Sequence, residues 1–294
     1  MDPLQRIHLA LAAALSTAEA PGGPPRLAAA VRHAVYPAGA RVRPRLCVAV
    51  ALACGDDDPA LTDGAASALE LLHCASLVHD DLPCFDDSPL RRGVPSVHVA
   101  YGERLAVLAG DALIVLAFQT LAQAPARHPA RMAAVLGLLA RGVGQPHGIV
   151  AGQAWECEPH VSLRDYQRAK TGALFAAATM AGAVSAGSDG TPWRALGEWL
   201  GEAYQVADDI RDVIADPQHL GKPIGQDVAL GRPSVATEEG LDAAMRIFQR
   251  LVAGAVAAVP DCRGAPMLRA LVRAESERLV PPALFAQQRL RAVA

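Results

Sequence analysis

A chain of 294 residues with a formal net charge of −3 has no general electrostatic pull toward nucleic acid or anionic membranes. Apolar residues make up 52% but aromatics only 4%, so the apolar mass is Ala, Leu and Val, which favours helices over a sheet core. Six scattered cysteines (Cys47, Cys54, Cys74, Cys84, Cys157, Cys262) form no CxxC pair, which argues against zinc or disulfide frameworks and suits a reducing cytoplasm.

The polar start, Met1 to Arg6, shows no secretory leader, and no uninterrupted apolar stretch reaches membrane-spanning length, so stable membrane insertion is not expected. Residues 3 to 34 read as one or two helices, broken at Ala20-Pro-Gly-Gly-Pro-Pro25. A loop with Arg41 and Arg43 leads into an apolar helix from Arg45 to Cys54. Gly55-Asp-Asp-Asp-Pro59 reads as a loop whose acids are solvated caps. A helix containing Ala65 to Val78 should end near Asp81, because Leu82 precedes a proline. Further apolar helices are expected over Ala106–Leu121 and Pro129–Val143. Ser162 and Asp165 form a capping box opening a helix through Lys170 toward Val184. Thr191-Pro192 reads as an N-cap opening a helix through Ile214. Asp216 to Ser234 is loop-like, and two or three helices complete the chain. With no convincing strand series, the expectation is an all-α, single-domain helical bundle over residues 1–294, buried around its centre.

Two acidic stretches carry the chemistry. In His79-Asp-Asp-Leu-Pro-Cys-Phe-Asp-Asp-Ser-Pro-Leu-Arg-Arg-Gly93, four carboxylates lie within eight residues and two arginines follow. Asp80 and Asp81 would sit at a helix C-terminus, where negative charge is disfavoured, so the cluster needs a cation, and hard oxygen ligands suit Mg²⁺. In Gln205-Val-Ala-Asp-Asp-Ile-Arg-Asp212, Asp208 and Asp212 share one helix face, with Gln205 a turn before. Arg211 offers this pair a purely local salt-bridge partner. Of 27 basic side chains only Lys170 and Lys222 are lysines, which suggests positions that require a compact ammonium. Lys170 has no obvious carboxylate at i±4, and Lys222 sits in the flexible Gly221-Lys-Pro223 loop.

Gly39-x-Arg41-x-Arg43-Pro44, the run Asp80–Arg92, Lys170-Thr171-Gly172, Gln205-x-x-Asp208-Asp209-x-x-Asp212 and Gly221-Lys222-Pro223 occur in that order. Together they resemble the motif set of the trans-isoprenyl diphosphate synthases, the polyprenyl synthetase family. Gly-Ala-Arg-x-Arg-Pro and Gln153-Ala-Trp-Glu156 look closest to bacterial carotenoid-pathway geranylgeranyl diphosphate synthases. The resemblance implies an isoprenoid-synthase bundle around a deep central cavity, usually a homodimer. It implies condensation of isopentenyl diphosphate with allylic diphosphates. Asp80 and Asp86 would bind Mg²⁺ from one side and Asp208 and Asp212 from the other, with about three ions per site. Arg91, Lys170 and Lys222 would neutralise diphosphate charge, and Thr171 and Gln205 would position or polarise near the allylic cation. Arg43, His73 and Arg92 would hold isopentenyl diphosphate.

The chain departs from the family pattern at Ala40, where the usual isopentenyl-binding lysine is missing, and at Arg232, where a lysine is frequent. By the same resemblance, the prenyl tail would run past Ser76, Ala75 and Leu72. Small Ala75 favours a C20 product, with Leu72, Leu69 or Phe118 as the floor. A farnesyl diphosphate synthase is the alternative; a terpene cyclase or a non-catalytic subunit of a hetero-oligomeric synthase ranks below it, because both acidic regions are intact.

Overall fold

The computed structural model describes residues 2–36, 39–160, 162–214 and 235–280. Its helices start where the sequence supplies a cap and a proline. Asp2 accepts the Gln5 N–H at 3.1 Å and Pro3 begins α1 (Pro3–Ala18); α2 (Pro25–Val35) follows the expected break. The next helix, α3 (Val42–Cys54), starts earlier than the expected Arg45. Arg41 takes a left-handed conformation (φ 51°), and Pro44 falls in the first turn, where its missing N–H has no partner to lose.

Of the acids before α4 (Pro59–Asp80), Asp57 is solvated and Asp58 is a cap, as expected, but neither Asp56 nor Asp58 is open to water. Asp58 is fully buried and accepts the N–H groups of Leu61 (3.4 Å) and His128 (2.8 Å). Asp56 takes Arg6 and Thr62, each at 2.7 Å, and Asp57 takes Arg131. Distant basic and hydroxyl groups close over this loop, which local sequence does not reveal. After α4 comes a two-residue antiparallel hairpin, β1 (Leu90–Arg91) and β2 (Val94–Pro95), where no strand was expected.

The chain continues through α5 (Val97–Tyr101), α6 (Glu103–Ala122), α7 (Pro129–Val143) and α8 (Ile149–Ala154), then a 3₁₀ turn at Trp155–Cys157. By length and composition α6 could cross a membrane, although Asp111 interrupts its apolar run. It packs on α4 and α2 and carries Asp111 mid-length.

Ser162 Oγ accepts the Asp165 N–H at 3.4 Å at the start of α9 (Leu163–Gln167). The expected single helix then widens into a π turn, Arg168–Gly172, before α10 (Ala173–Ser185). Thr191 is not an N-cap: Asp189 accepts its N–H at 2.9 Å, and a 3₁₀ turn (Thr191–Trp193) precedes α11 (Arg194–Ile214). The described chain ends with α12 (Val235–Glu238), α13 (Leu241–Ala257) and α14 (Ala265–Leu279).

Helices α3, α4 and α10 pack on one another, and α4 and α10 are buried on nearly every face, as helices apolar all round must be. Small side chains let these backbones come close, which explains a core built with so few aromatics. The charged ends of α4 and α11 and the π turn are thereby held around one space.

Candidate active site

A cavity of about 920 Å³ opens between α4, α6, α8, α11 and the loop after α4. Its wall collects residues from stretches far apart in sequence. Arg43 comes from α3; Leu72, His73, Ala75, Ser76 and Asp80 from α4; Asp86, Arg91 and Arg92 from the loop and hairpin. Lys170 and Thr171 come from the π turn, and Gln205, Asp208 and Asp212 from α11. Lys222 and Arg232 lie outside the described residues.

The first acidic stretch is folded back on the helix end. Asp86 N–H donates to the Asp80 carbonyl (2.9 Å), Asp87 N–H to Leu82 (3.1 Å) and Ser88 N–H to Asp81 (3.2 Å). This turn, with Pro83 inside it, returns Asp86 to the cavity beside Asp80. Asp81 faces inward instead, and Arg91 grips it through Nε at 3.0 and 3.2 Å. Arg91 therefore holds a buried carboxylate at the cavity rim. Burial pushes the Asp81 carboxyl up, and Arg91 opposes that shift.

The second stretch stays helical. Gln205 accepts the Thr171 hydroxyl (3.2 Å) and donates to Asp209 (3.1 Å), whose other oxygen accepts the Val235 N–H (3.0 Å). The local partner left open by the sequence is present, since Arg211 hydrogen-bonds Asp208.

Lys170 has no carboxylate at i±4, as expected, but is paired from further away in the chain. Its Nζ lies 2.5 Å from Glu156 Oε1 and 3.5 Å from Asp80 Oδ1. Glu156 also accepts from Tyr166 OH (2.6 Å) and Gln153 Nε2 (3.1 Å). The carboxylates come from other turns, so an i±4 search within one helix misses them. The π turn presents Lys170 to the cavity, and Gly152 permits it: a Cβ there would stand 2.3 Å from the Lys170 backbone nitrogen.

At the opposite wall, Arg43 is buried with its guanidinium 4.6 Å from the Phe175 ring and 5.9 Å from Tyr204. Its Nε has no hydrogen-bond partner, and burial pushes its pKa down. Burial, with Arg43 and Arg92 nearby, holds His73 well below the ordinary histidine value. His73 is thus a neutral polar group here.

The carboxylates fit Mg²⁺. Asp80 Oδ1 is buried and accepts no hydrogen bond, and burial pushes its carboxyl up, with Lys170 opposing and Asp86 adding to the shift. A divalent ion would relieve both costs. Among the described residues no three His, Cys, Asp or Glu side chains converge on one ion. Each ion would therefore take one or two carboxylates and complete its shell with ligand oxygens and water, as Mg²⁺ commonly does.

Away from this charged end the wall is apolar. Leu72 and Ala75 face Val107 and Ile114 of α6, with Val143 and Ile149 beyond. Ala75 and Ser76 are the small side chains between Asp80 and Leu72. Leu69 and Phe118 belong to the core packing and are not on the wall, so Leu72 alone of the three expected floor residues touches the cavity. Sequence reasoning assigned no role to Glu156, Tyr166, Tyr204 or Glu70. Glu70 had a readable signal, being the only acid in the apolar run Ala65–Val78.

A family model described as polyprenyl synthetase matches residues 24–256. The geranylgeranyl diphosphate synthase of Cereibacter sphaeroides is 52% identical over 96% of this chain and 98% of its own. That of Rhodobacter capsulatus is 49% identical over 94% and 96%. Among solved structures, an apo FPP/GFPP synthase from Zymomonas mobilis has TM-score 0.78 and 30% identity, covering 92% of this chain and 96% of that one. A geranyltransferase from Helicobacter pylori, complexed with magnesium and isoprenyl diphosphate, has TM-score 0.78 and 27% identity over 94% and 97%. With the family model spanning most of its length and half its residues shared with full-length relatives, the chain belongs to the polyprenyl synthetase family.

Proposed function

We propose that this chain is a Mg²⁺-dependent trans-prenyltransferase that adds isopentenyl diphosphate to allylic diphosphates and delivers geranylgeranyl diphosphate. The observation that carries the reading is one cavity whose wall brings together both carboxylate sets and Lys170 with apolar side chains that include Leu72, Ala75, Val107 and Ile114. Similarity to two geranylgeranyl diphosphate synthases supports the C20 length, and the Helicobacter pylori complex supports magnesium.

Asp80 and Asp86 from one side and Asp208 and Asp212 from the other would hold the ions. The ions supply charge for a leaving diphosphate. Lys170, fixed by Glu156, adds an ammonium beside them. The allylic C–O bond breaks with its electron pair leaving on the diphosphate. Thr171 and Gln205, bonded to each other, present oxygens toward the cation that remains. Arg43, Arg92 and neutral His73 hold isopentenyl diphosphate so that its double bond forms the new C–C bond. The proton then lost goes to the departing diphosphate. Fixed charges in a site that excludes water make such a clamp effective.

The reading includes a homodimer and a cytoplasmic setting. The first is supported by exposed Leu108 and Val115 on α6, the second by six unpaired cysteines. Light scattering after size exclusion tests the dimer, and cell fractionation tests the setting. For the reaction, purified protein with Mg²⁺, isopentenyl diphosphate and farnesyl diphosphate should yield geranylgeranyl diphosphate. Farnesyl diphosphate as the sole product from a geranyl primer would overturn the C20 length.

A further inference from the structure

The cavity wall that would receive isopentenyl diphosphate contains one carboxylate among three guanidinium groups. Glu70 is 1% exposed and sits on α4 one turn before His73. Arg41 hydrogen-bonds it through Nη1 and donates through Nη2 to the Val35 carbonyl at 2.7 Å. Arg41 is therefore committed to the protein interior. Arg92 Nη2 lies 3.8 Å from the same Glu70 oxygen, close enough for charge attraction and too far for a hydrogen bond. Glu70 can thus steer Arg92 without using its donors.

The other face of Arg92 rests on backbone. A Cβ at Gly39 would stand 2.7 Å from Cζ, Nε and Nη2 of Arg92, so an alanine there would make that flexible guanidinium shift from its present seat. Arg41 and Arg92 both have left-handed backbones (φ 51° and 54°), a conformation that non-glycine residues adopt at a cost and keep where packing fixes them. Arg43 completes the group, buried and with Nε unpartnered. Three cations against one anion leave a surplus of positive charge that an incoming diphosphate would balance. Ala40, exposed on the same wall, contributes no charge.

We propose that Glu70 and Gly39 are the positioning residues of Arg92 and, through it, set the affinity for the homoallylic diphosphate in a chain that carries Ala40. The inference rests on the prenyl-transfer reading above. Glu70 supplies direction by charge, and Gly39 supplies the seat. Neither acts on the allylic diphosphate, whose contacts lie with the aspartates and Lys170.

Steady-state kinetics of the purified full-length enzyme with Mg²⁺ test this, varying each substrate at saturating levels of the other. Gly39→Ala and Glu70→Gln should each raise KM for isopentenyl diphosphate about tenfold. KM for farnesyl diphosphate should move by less than about twofold in the same variants. Glu70→Asp, which keeps the charge, should recover part of the loss. If Glu70→Gln does not fold, Gly39→Ala decides the matter from the loop before α3. An unchanged isopentenyl KM in Gly39→Ala, or equal rises in both KM values, overturns the proposal. A wild-type enzyme that transfers no prenyl group would instead refute the functional reading.

Discussion

The two aspartate regions place similar side chains on unlike backbones. In each, a cavity carboxylate, Asp80 or Asp208, is followed by a neighbour only 2% exposed, Asp81 or Asp209, of which Asp209 still touches the cavity wall and Asp81 does not. Both neighbours are held by the protein: Asp81 by Arg91, and Asp209 by Gln205 and the Val235 N–H. The regions part after that pair. In α11 the next cavity carboxylate, Asp212, arrives one turn on by helical periodicity alone. At the end of α4 the next one, Asp86, arrives by a helix stop, a proline-containing turn and a hairpin whose arginine reaches back to the helix cap. A pair of cavity carboxylates can therefore be written in a few helical residues or assembled by a whole local fold. The second route makes its geometry depend on a salt bridge.

The largest expected effect tests whether the regions act together. Asp80→Ala and Asp208→Ala should each lower turnover by about a thousandfold, read from radiolabelled isopentenyl diphosphate incorporation. Near-normal turnover in either variant would reduce the clamp to one side.

Stability should separate the regions next. Arg91→Gln leaves the Asp81 carboxylate, whose side chain is 3% exposed, without its cation, and should cost about 3 kcal/mol in denaturant unfolding. Arg211→Gln removes a partly exposed helical pair and should cost less than about 1 kcal/mol. Equal costs would mean that the first region does not depend on its salt bridge.

A third change probes α4 below the first region. Ala75→Tyr places a ring in the apolar channel and should make farnesyl diphosphate the main product by chromatography. An unchanged chain length would remove Ala75 from the tail path.

The smallest effect concerns His73 on the same helix. Its folded pKa is depressed, chiefly by burial, so below about 6.5 the unfolded chain binds a proton that the folded chain refuses. Stability present above about pH 6.5 is lost as pH falls below it. Between about pH 7.5 and 5.5 the wild type should lose about 1 kcal/mol more than His73→Gln, measured by denaturant unfolding. Equal losses would place His73 in an environment that accepts its charge.

How far the sequence reached follows the same division. Pro129–Val143 is bounded as expected, because a proline start and an apolar period suffice. The Asp208/Asp212 face was legible for a similar reason. Asp56 and Asp58 were misread as solvated, because Arg6, Thr62 and the His128 N–H reach them only in the folded chain. Lys170 was recognised by its rarity among arginines, yet its partner Glu156 was not. The π turn and the Gly152 contact that align them are products of packing.

By itself, then, the sequence determined the helices, the two acidic motifs with their attendant cations, and the family they identify. These rest on spacing within one element, where 3.6 residues per turn links position to direction. Tertiary structure alone decided that Asp81 leaves the cavity wall for Arg91, while Asp209, held by Gln205, stays on it. It also decided that Leu72, and neither Leu69 nor Phe118, meets the channel. Those outcomes depend on close contact between elements far apart in the chain, and local spacing carries no record of it.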